Sequence, residues 1–249
     1  VSQINTIIKF QELYKIKRSI FLIPNSDFKN EIEEAISKTK IKLKHTFIYD
    51  TDPTLLTAQI EKLTRYPQRK QQLKDEIKRL ENSNEINKEI KISRLEKEDT
   101  LGGINFDSVI IANFGENLKS VTNSFSFSDV TAQDVKFITL NQWFDETLFK
   151  ESSANQIYFP SINLANYSKF KETYFKKYNK YPPQISILSY DIMGLIYYIK
   201  KVQGSDLKKN IFNNKSYVGE VGEFSFKDKI ITHKLDIYQV LDNQFFKIN

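Results

Sequence analysis

The sequence predicts an α/β fold built on a doubly wound, mostly parallel β-sheet, with a helical insertion and a C-terminal antiparallel hairpin. Short apolar runs of the length of buried strands alternate with amphipathic stretches of helical periodicity. Gly, Pro, Asn and Asp stand at the junctions between the two patterns, where turns and helix caps are expected. Strands that alternate with helices in this way form a parallel sheet covered on both faces.

Short apolar runs predict the strands of this sheet, each followed by a turn and a helix. The predicted strands are 19–24, 45–49, 108–113, 136–140 and 156–159. The predicted helices are about 2–15, 28–36, 53–63, 116–122 and 145–149. Asn25, Ser26 and Asp27 offer N-cap oxygens after the first strand, and Pro53 suits the first turn of the third helix.

Residues 66–100 interrupt this order with a polar segment. Its apolar positions, such as Leu73, Ile77 and Leu80, recur at helical spacing and predict one or two surface helices. Two interpretations are open at this point: an arm that binds a partner, or an inserted helical pair that packs on its own domain.

The pattern changes from about residue 166 onward. Two longer helices are predicted at 167–178 and 185–202, and a short one at 206–212. Asp191 lies on the apolar face of the second helix and is the acid expected to be partly buried. The last predicted strands, which alternate like antiparallel neighbours, are 222–226, 234–241 and 245–248.

Composition argues against several classes of function. The net charge is +6, but the lysines are spread along the chain and mixed with acids, so nucleic-acid binding is not predicted. The chain has no cysteine and two histidines, His45 and His233, neither of which has a companion at metal-ligand spacing. No nucleophile elbow or P-loop occurs, so we predict a non-enzymatic protein without metal or cofactor. A carboxylate-based hydrolase and a purely structural envelope protein are the alternatives.

Several segments resemble the type I periplasmic binding protein-like superfamily, which has the branched-chain amino acid receptor fold. SIFLIPNSDF, SVIIANFGE and KFITLNQW are similar to its second lobe. FKETYFKKY, Pro182-Pro183 and SYDIMGL resemble its late helix pair, and VGEVGEFSFKDKIITHKLDIYQV resembles its closing hairpin. Within the superfamily, DTLGGINFDSVIIANFGENL and FSDVTAQDVKFITLNQWFDETL look closest to alphaproteobacterial penicillin-binding protein activators, the LpoA-like proteins.

The resemblance implies a division of the chain. Residues 1–162 and 217–249 would form the second lobe, with 66–100 as its insertion, whereas 163–216 would be helices of a first lobe otherwise missing from the sequence. It also implies an exported, periplasmic protein that binds a small amino acid-like solute for an ABC transporter or regulates a peptidoglycan synthase. A full-length protein anchored to the membrane by an absent N-terminal segment is consistent with this.

The resemblance places a ligand in the cleft at the carboxyl ends of the strands, where open α/β sheets bind ligands. The matching positions follow three strands: Asn25, Ser26 and Phe28; Asn113, Phe114 and Glu116; and Asn141, Gln142 and Trp143. Alternatively, Asn25 and Ser26 only cap a helix, and Trp143 belongs to the core. Amino acid receptors of the family carry an acid where this chain has the amides Asn141 and Gln142, which weakens amino acid binding and favours protein contact.

Overall fold

The computed structural model describes residues 1–140, 152–203, 216–227 and 230–248. The predicted helices at 145–149 and 206–212 therefore lie outside the described residues. The strands are β1 (Ser19–Pro24), β2 (His45–Tyr49), β3 (Ser108–Ile111), β4 (Lys136–Thr139), β5 (Tyr158–Ser161), β6 (Ser216–Gly219), β7 (Gly222–Lys227), β8 (Ile230–His233), β9 (Asp236–Leu241) and β10 (Gln244–Ile248). The α-helices are α1 (Ser2–Leu13), α2 (Lys29–Ser37), α3 (Pro53–Thr64), α4 (Tyr66–Glu81), α5 (Lys88–Leu95), α6 (Gly115–Phe127), α7 (Leu164–Tyr178) and α8 (Ser186–Tyr198).

The larger sheet has seven strands in the order β10-β9-β5-β4-β3-β1-β2. Strands β2, β1, β3, β4 and β5 run parallel, whereas β9 pairs antiparallel with β5 and β10 pairs antiparallel with β9. The predicted α/β fold with a mostly parallel sheet is confirmed. Crossover helices account for this order, because parallel neighbours require connections that return over a face of the sheet.

Alternate side chains of β1 divide between two cores, as the pleat of a strand dictates. Ile20 and Leu22 face α3 and α6, whose apolar residues Leu56, Ile60, Leu118, Val121 and Phe125 are buried there. Phe21 and Ile23 face the opposite side, where Ile7 and Phe10 of α1 pack together with residues of α2. The sheet is therefore covered on both faces, which explains why its central strands are apolar throughout.

The insertion forms two helices, α4 and α5, that pack on their own domain. Arg69 of α4 is buried, and its guanidinium donates hydrogen bonds to the carbonyls of Gly102, Ser128 and Asp129 and to Thr100 Oγ1. These acceptors lie at the end of the insertion and just beyond α6. The structure thus supports the interpretation of an inserted helical pair.

The predicted C-terminal antiparallel hairpin is confirmed as β9 and β10, and the strands before it form a second sheet. Strands β6, β7 and β8 make a separate three-stranded antiparallel sheet, and only β9 and β10 join the large sheet. The predicted strand 234–241 begins two residues too early. β8 ends at His233, residues 234 and 235 connect the two strands, and β9 begins at Asp236. The predicted turn at Asp242 and Asn243 is confirmed, with φ angles of 48° and 62°.

The small sheet packs against α8. Leu195 and Ile199 contact Phe224 and Phe226 of β7 in one apolar cluster. Asp191 of the same helix is buried, as predicted, and accepts hydrogen bonds from the backbone N–H groups of Glu220 and Val221, in the turn between β6 and β7. In contrast, α7 has no buried residue in its 15 positions.

Two further details differ from the sequence-based predictions. Strand β5 lies two residues later than predicted, because Gln156 adopts a left-handed backbone with φ of 67° and ends the preceding turn. Helix α2 begins after Phe28 without a side-chain cap, so the predicted capping by Asn25, Ser26 or Asp27 is wrong. Within the described ranges, no helix is long and apolar enough to cross a lipid bilayer.

Candidate functional site

A cleft of about 270 Å³ opens at the carboxyl ends of β1, β3 and β4. Parallel strands end at the same edge of a sheet, so the loops that follow them converge there. Its lining residues are Pro24, Ser26, Phe28, Ile32, Thr51, Ala112, Asn113, Phe114, Asn117 and Leu140. The cleft therefore brings together Ser26 and Phe28 from the loop after β1 with Asn113 and Phe114 from the loop after β3.

Asn113 is held in place by three hydrogen bonds. Its Nδ2 donates to the hydroxyl of Tyr49 at 2.7 Å, and its Oδ1 accepts from the N–H of Phe114 at 2.9 Å. Its carbonyl accepts from Thr139 Oγ1 at 2.8 Å. Burial raises the pKa of Tyr49 to about 12, although the hydrogen bond from Asn113 opposes this shift. Asn113 thus links β2, β3 and β4 and shapes the floor of the cleft.

Two aromatic side chains stand at the mouth of the cleft. Phe28 is 66% exposed and Phe114 is 65% exposed, so each offers an aromatic ring to solvent at the cleft. Each is the N-cap residue of a helix, α2 and α6 respectively, and neither helix has a side-chain cap. The cleft therefore combines apolar faces with the starts of two helices that have no side-chain cap, and such helix ends can accept polar groups of a ligand.

The remaining predicted site residues lie elsewhere. Asn25 is exposed and does not line the cleft. Glu116 points to solvent, 84% exposed, with its carboxylate 3.7 Å from the ammonium of Lys119. Asn141, Gln142 and Trp143 follow β4 but lie outside the described residues. The lining residues given above include no charged side chain, so the described part of the cleft is mostly apolar, and its polar groups are uncharged.

Thr51 and Asn117 were not predicted, although both line the cleft. Thr51 comes two residues after β2, the strand next to β1 at the edge of the sheet. Asn117 lies in the first turn of α6, close to Phe114 along the helix. The rule that located the other residues, proximity to the carboxyl end of a parallel strand, would have found Thr51 had the order of strands been known.

Solved structures of other proteins align with nearly the whole of this chain. A branched-chain amino acid ABC transporter periplasmic ligand-binding protein from Burkholderia xenovorans LB400 aligns with a TM-score of 0.63 and 7% identity, over 99% of this chain and 62% of its own. The leucine-, isoleucine-, valine-, threonine- and alanine-binding protein from Brucella ovis aligns with a TM-score of 0.58 and 13% identity, over 99% of this chain and 61% of its own.

A regulator of PBP1A also aligns. The C-domain of LpoA from Haemophilus influenzae matches with a TM-score of 0.51 and 9% identity, over 100% of this chain and 66% of its own. No protein-family model and no curated protein sequence matches the chain.

These alignments show that the chain has the type I periplasmic binding protein fold, as its sequence motifs predict. The chain spans 61% and 62% of the two solute-binding proteins described above, which is less than two thirds of their length. At identities of 7% to 13%, these alignments show a shared fold and do not assign the ligands of those proteins to this chain.

Proposed function

We propose that this chain is part of a non-enzymatic, exported bacterial binding module that captures a small solute at the carboxyl-edge cleft. The observation that carries the proposal is the convergence of Ser26, Phe28, Asn113 and Phe114 on one cleft of about 270 Å³. Clefts at this edge of an open α/β sheet are the usual ligand sites of such folds. The solute-binding neighbours have the same fold, which supports the assignment.

The lining residues favour a solute with an apolar part and no net positive charge. Phe28 and Phe114 offer aromatic faces, while Ser26, Thr51 and Asn117 offer hydroxyl and amide groups. A ligand ammonium would need a carboxylate partner, and none stands among the lining residues of the described cleft. An aromatic or branched aliphatic compound with amide or hydroxyl groups fits this chemistry.

The same proposal assigns residues 163–216 to the first lobe, the rest of which would be supplied by a longer polypeptide. Helix α7 buries none of its residues, and Ile185, which precedes α8, and Met193 and Tyr197 within α8 are 65%, 64% and 65% exposed. Helices with apolar residues on most faces are normally covered. A first lobe packed on this surface would complete the cleft from the opposite side.

Regulation of a peptidoglycan synthase is the second candidate. The exposed rings of Phe28 and Phe114, at 66% and 65%, suit contact with a protein surface as well as with a solute. Asn113 has both ends of its side-chain amide engaged, which leaves fewer groups for a small ligand. The likeness to the LpoA C-domain covers 100% of the chain and supports this alternative.

A ligand panel tests the first candidate. The longest available form of the protein is heated with amino acids, amides and aromatic acids, and a true solute raises the melting temperature because it binds only the native state. Phe114→Ala should abolish that rise. Phe127→Ala is the matched control, since Phe127 is 72% exposed at the opposite end of α6.

A pull-down from envelope extract tests the second candidate. Recovery of a penicillin-binding protein by wild type and by Phe127→Ala, but not by Phe28→Ala or Phe114→Ala, would support regulation. If no solute shifts the melting temperature and no synthase is recovered, both candidates are wrong and a purely structural envelope role is left. Periplasmic localisation is part of the proposal and is checked by fractionation of the producing cells.

A further inference from the structure

His233 joins the small sheet to the N-terminal helix. It ends β8, and its backbone N–H donates to Ser2 Oγ of α1 at 3.1 Å. Its ring lies beside Phe224 of β7, with ring centroids 5.8 Å apart. Residues at opposite ends of the sequence meet here, so this contact ties the three-stranded sheet to the domain built on the large sheet.

The Nδ1 atom of His233 is buried and has no hydrogen-bond partner among the described residues. Such atoms are rare in native proteins because an unpaired buried polar group costs free energy. In the neutral ring with its proton on Nε2, Nδ1 is an unpaired acceptor. In the protonated ring, the buried Nδ1 carries an N–H that has no acceptor, which is the more costly situation.

Charged groups from several elements surround His233. Lys9 of α1, Glu223 of β7 and Lys234 line the same cavity as His233, and Asp191 of α8 acts on its ring electrostatically. Burial lowers the pKa of His233, and the negative charge of Asp191 opposes this shift without cancelling it. Glu223 is 3.3 Å from the ammonium of Lys234 and also lies in the field of Lys9.

An open cavity of about 250 Å³ adjoins the ring. It is lined by polar residues that include Asn5, Ser216, Glu223 and Thr232. The cavity offers the carboxylate of Glu223 and solvent, both of which would suit a charged imidazole ring that rotated into it.

We propose that His233 is an acid-sensitive latch between α1 and the small sheet. The neutral ring stays in the contact, whereas the protonated ring leaves it for the adjoining cavity, and the contact between Ser2 and His233 loosens. His233 binds a proton less readily in the folded state than in the unfolded state. The stabilisation that its neutral ring provides is therefore fully present above pH 6.5. This stabilisation is lost as the pH falls through the lower pKa that His233 has in the folded state.

Histidine NMR tests the first half of the proposal. The chain has two histidines, and the exposed His45 gives the second signal. We expect the His233 ring to titrate with a midpoint below 6.5, its ordinary value. Hydrogen exchange should show a loss of protection in β7, β8 and α1 below that midpoint, after correction for the intrinsic rate, while β1 and β3 remain protected.

Matched variants separate the latch from a general acid effect. His233→Gln cannot gain a proton and should remove the acid-dependent loss of protection, whereas His45→Gln should retain it. Ser2→Ala should lower protection of β8 at neutral pH, because His233 N–H loses its acceptor. A midpoint at or above 6.5, equal protection at both pH values, or an acid loss that persists in His233→Gln would overturn the proposal. The wild-type measurements decide the matter even if a variant does not fold.

Discussion

The carboxylate of Asp191 fills the space in which a side chain at Gly219 would lie. A methyl group added at Gly219 would overlap the carboxylate itself. The close approach exists because both oxygens of Asp191 accept N–H groups from the turn between β6 and β7, at 2.7 Å from Glu220 and 2.9 Å from Val221. A helix side chain thus fixes the path of a β-turn, and four predictions test this and other contacts of the fold.

Gly219→Ala should destabilise the protein by about 1–3 kcal/mol, because the added methyl displaces a buried, hydrogen-bonded carboxylate. The urea midpoint of unfolding measures the effect. Gly194→Ala is the matched control, since no atom lies within 4 Å of a Cβ at that position. Gly194 lies inside α8, so its replacement should raise stability by about 0.5–1 kcal/mol. Equal effects of the two variants would contradict the steric explanation.

Asp191→Asn should also lower stability, by about 1–3 kcal/mol. The asparagine has one oxygen in place of two, so its NH2 group would face one of the two backbone N–H groups that the carboxylate now accepts. Thermal unfolding of the variant gives the loss. Asp27→Asn, at an exposed position before α2, should leave the melting temperature nearly unchanged.

Arg69→Met should destabilise the insertion by about 3 kcal/mol or more, since it leaves the buried carbonyl of Ser128 and the partly buried carbonyl of Gly102 without their donor. Protease cleavage within 82–87, between α4 and α5, should become faster at low protease concentration. Arg94→Met changes an exposed arginine of α5 and serves as control. If both variants are cleaved at the wild-type rate, Arg69 does not anchor the insertion.

Stability should fall between pH 10 and about 12 through Tyr49. Burial raises the pKa of Tyr49 from 10.0 to about 12, so the folded state retains a proton that the unfolded state has already lost. This stabilisation is present below pH 10 and disappears as the pH rises through the folded value. Chemical unfolding at pH 9 and pH 11 measures the difference.

Tyr49→Phe removes the titrating hydroxyl and should flatten that alkaline decline, although it lowers stability at neutral pH because Asn113 Nδ2 loses its acceptor. Tyr178→Phe, at a tyrosine that is 50% exposed, should keep the decline. If Tyr49→Phe loses as much stability between pH 9 and pH 11 as the wild type does, other residues cause the loss.

Much of the large sheet could be predicted from local pattern. β1 and β2 were predicted with their observed bounds, because each is a short apolar run between strong turn signals. β8 was missed, since Ile230–His233 alternates too briefly to stand apart from the strand that follows it. The membership of β6 to β8 in a separate sheet could not be predicted, because it depends on packing against Leu195 of α8 and Ile199, the residue after that helix.

The candidate site shows the same division. Ser26, Phe28, Asn113 and Phe114 were predicted from their places after strands, and the structure brings them to one cleft. Whether these residues bind a ligand is a prediction that the experiments above address. Asn113 illustrates what sequence could not reveal: its hydrogen bond to Tyr49 joins residues 64 positions apart, and the pairing exists only when β1 holds β2 and β3 on its two sides.

The sequence by itself determined the class of fold, because hydrophobic periodicity is a local property that limits each segment to a buried strand or an amphipathic helix. The tertiary structure decided which polar groups became buried partners. Arg69 and His233 are ordinary polar residues in the sequence, and their roles arise only where distant segments exclude water from them. Burial of a charge or of an unpaired nitrogen is a property of the folded chain. The same holds for the division of the strands into two sheets and for the latch between α1 and the small sheet.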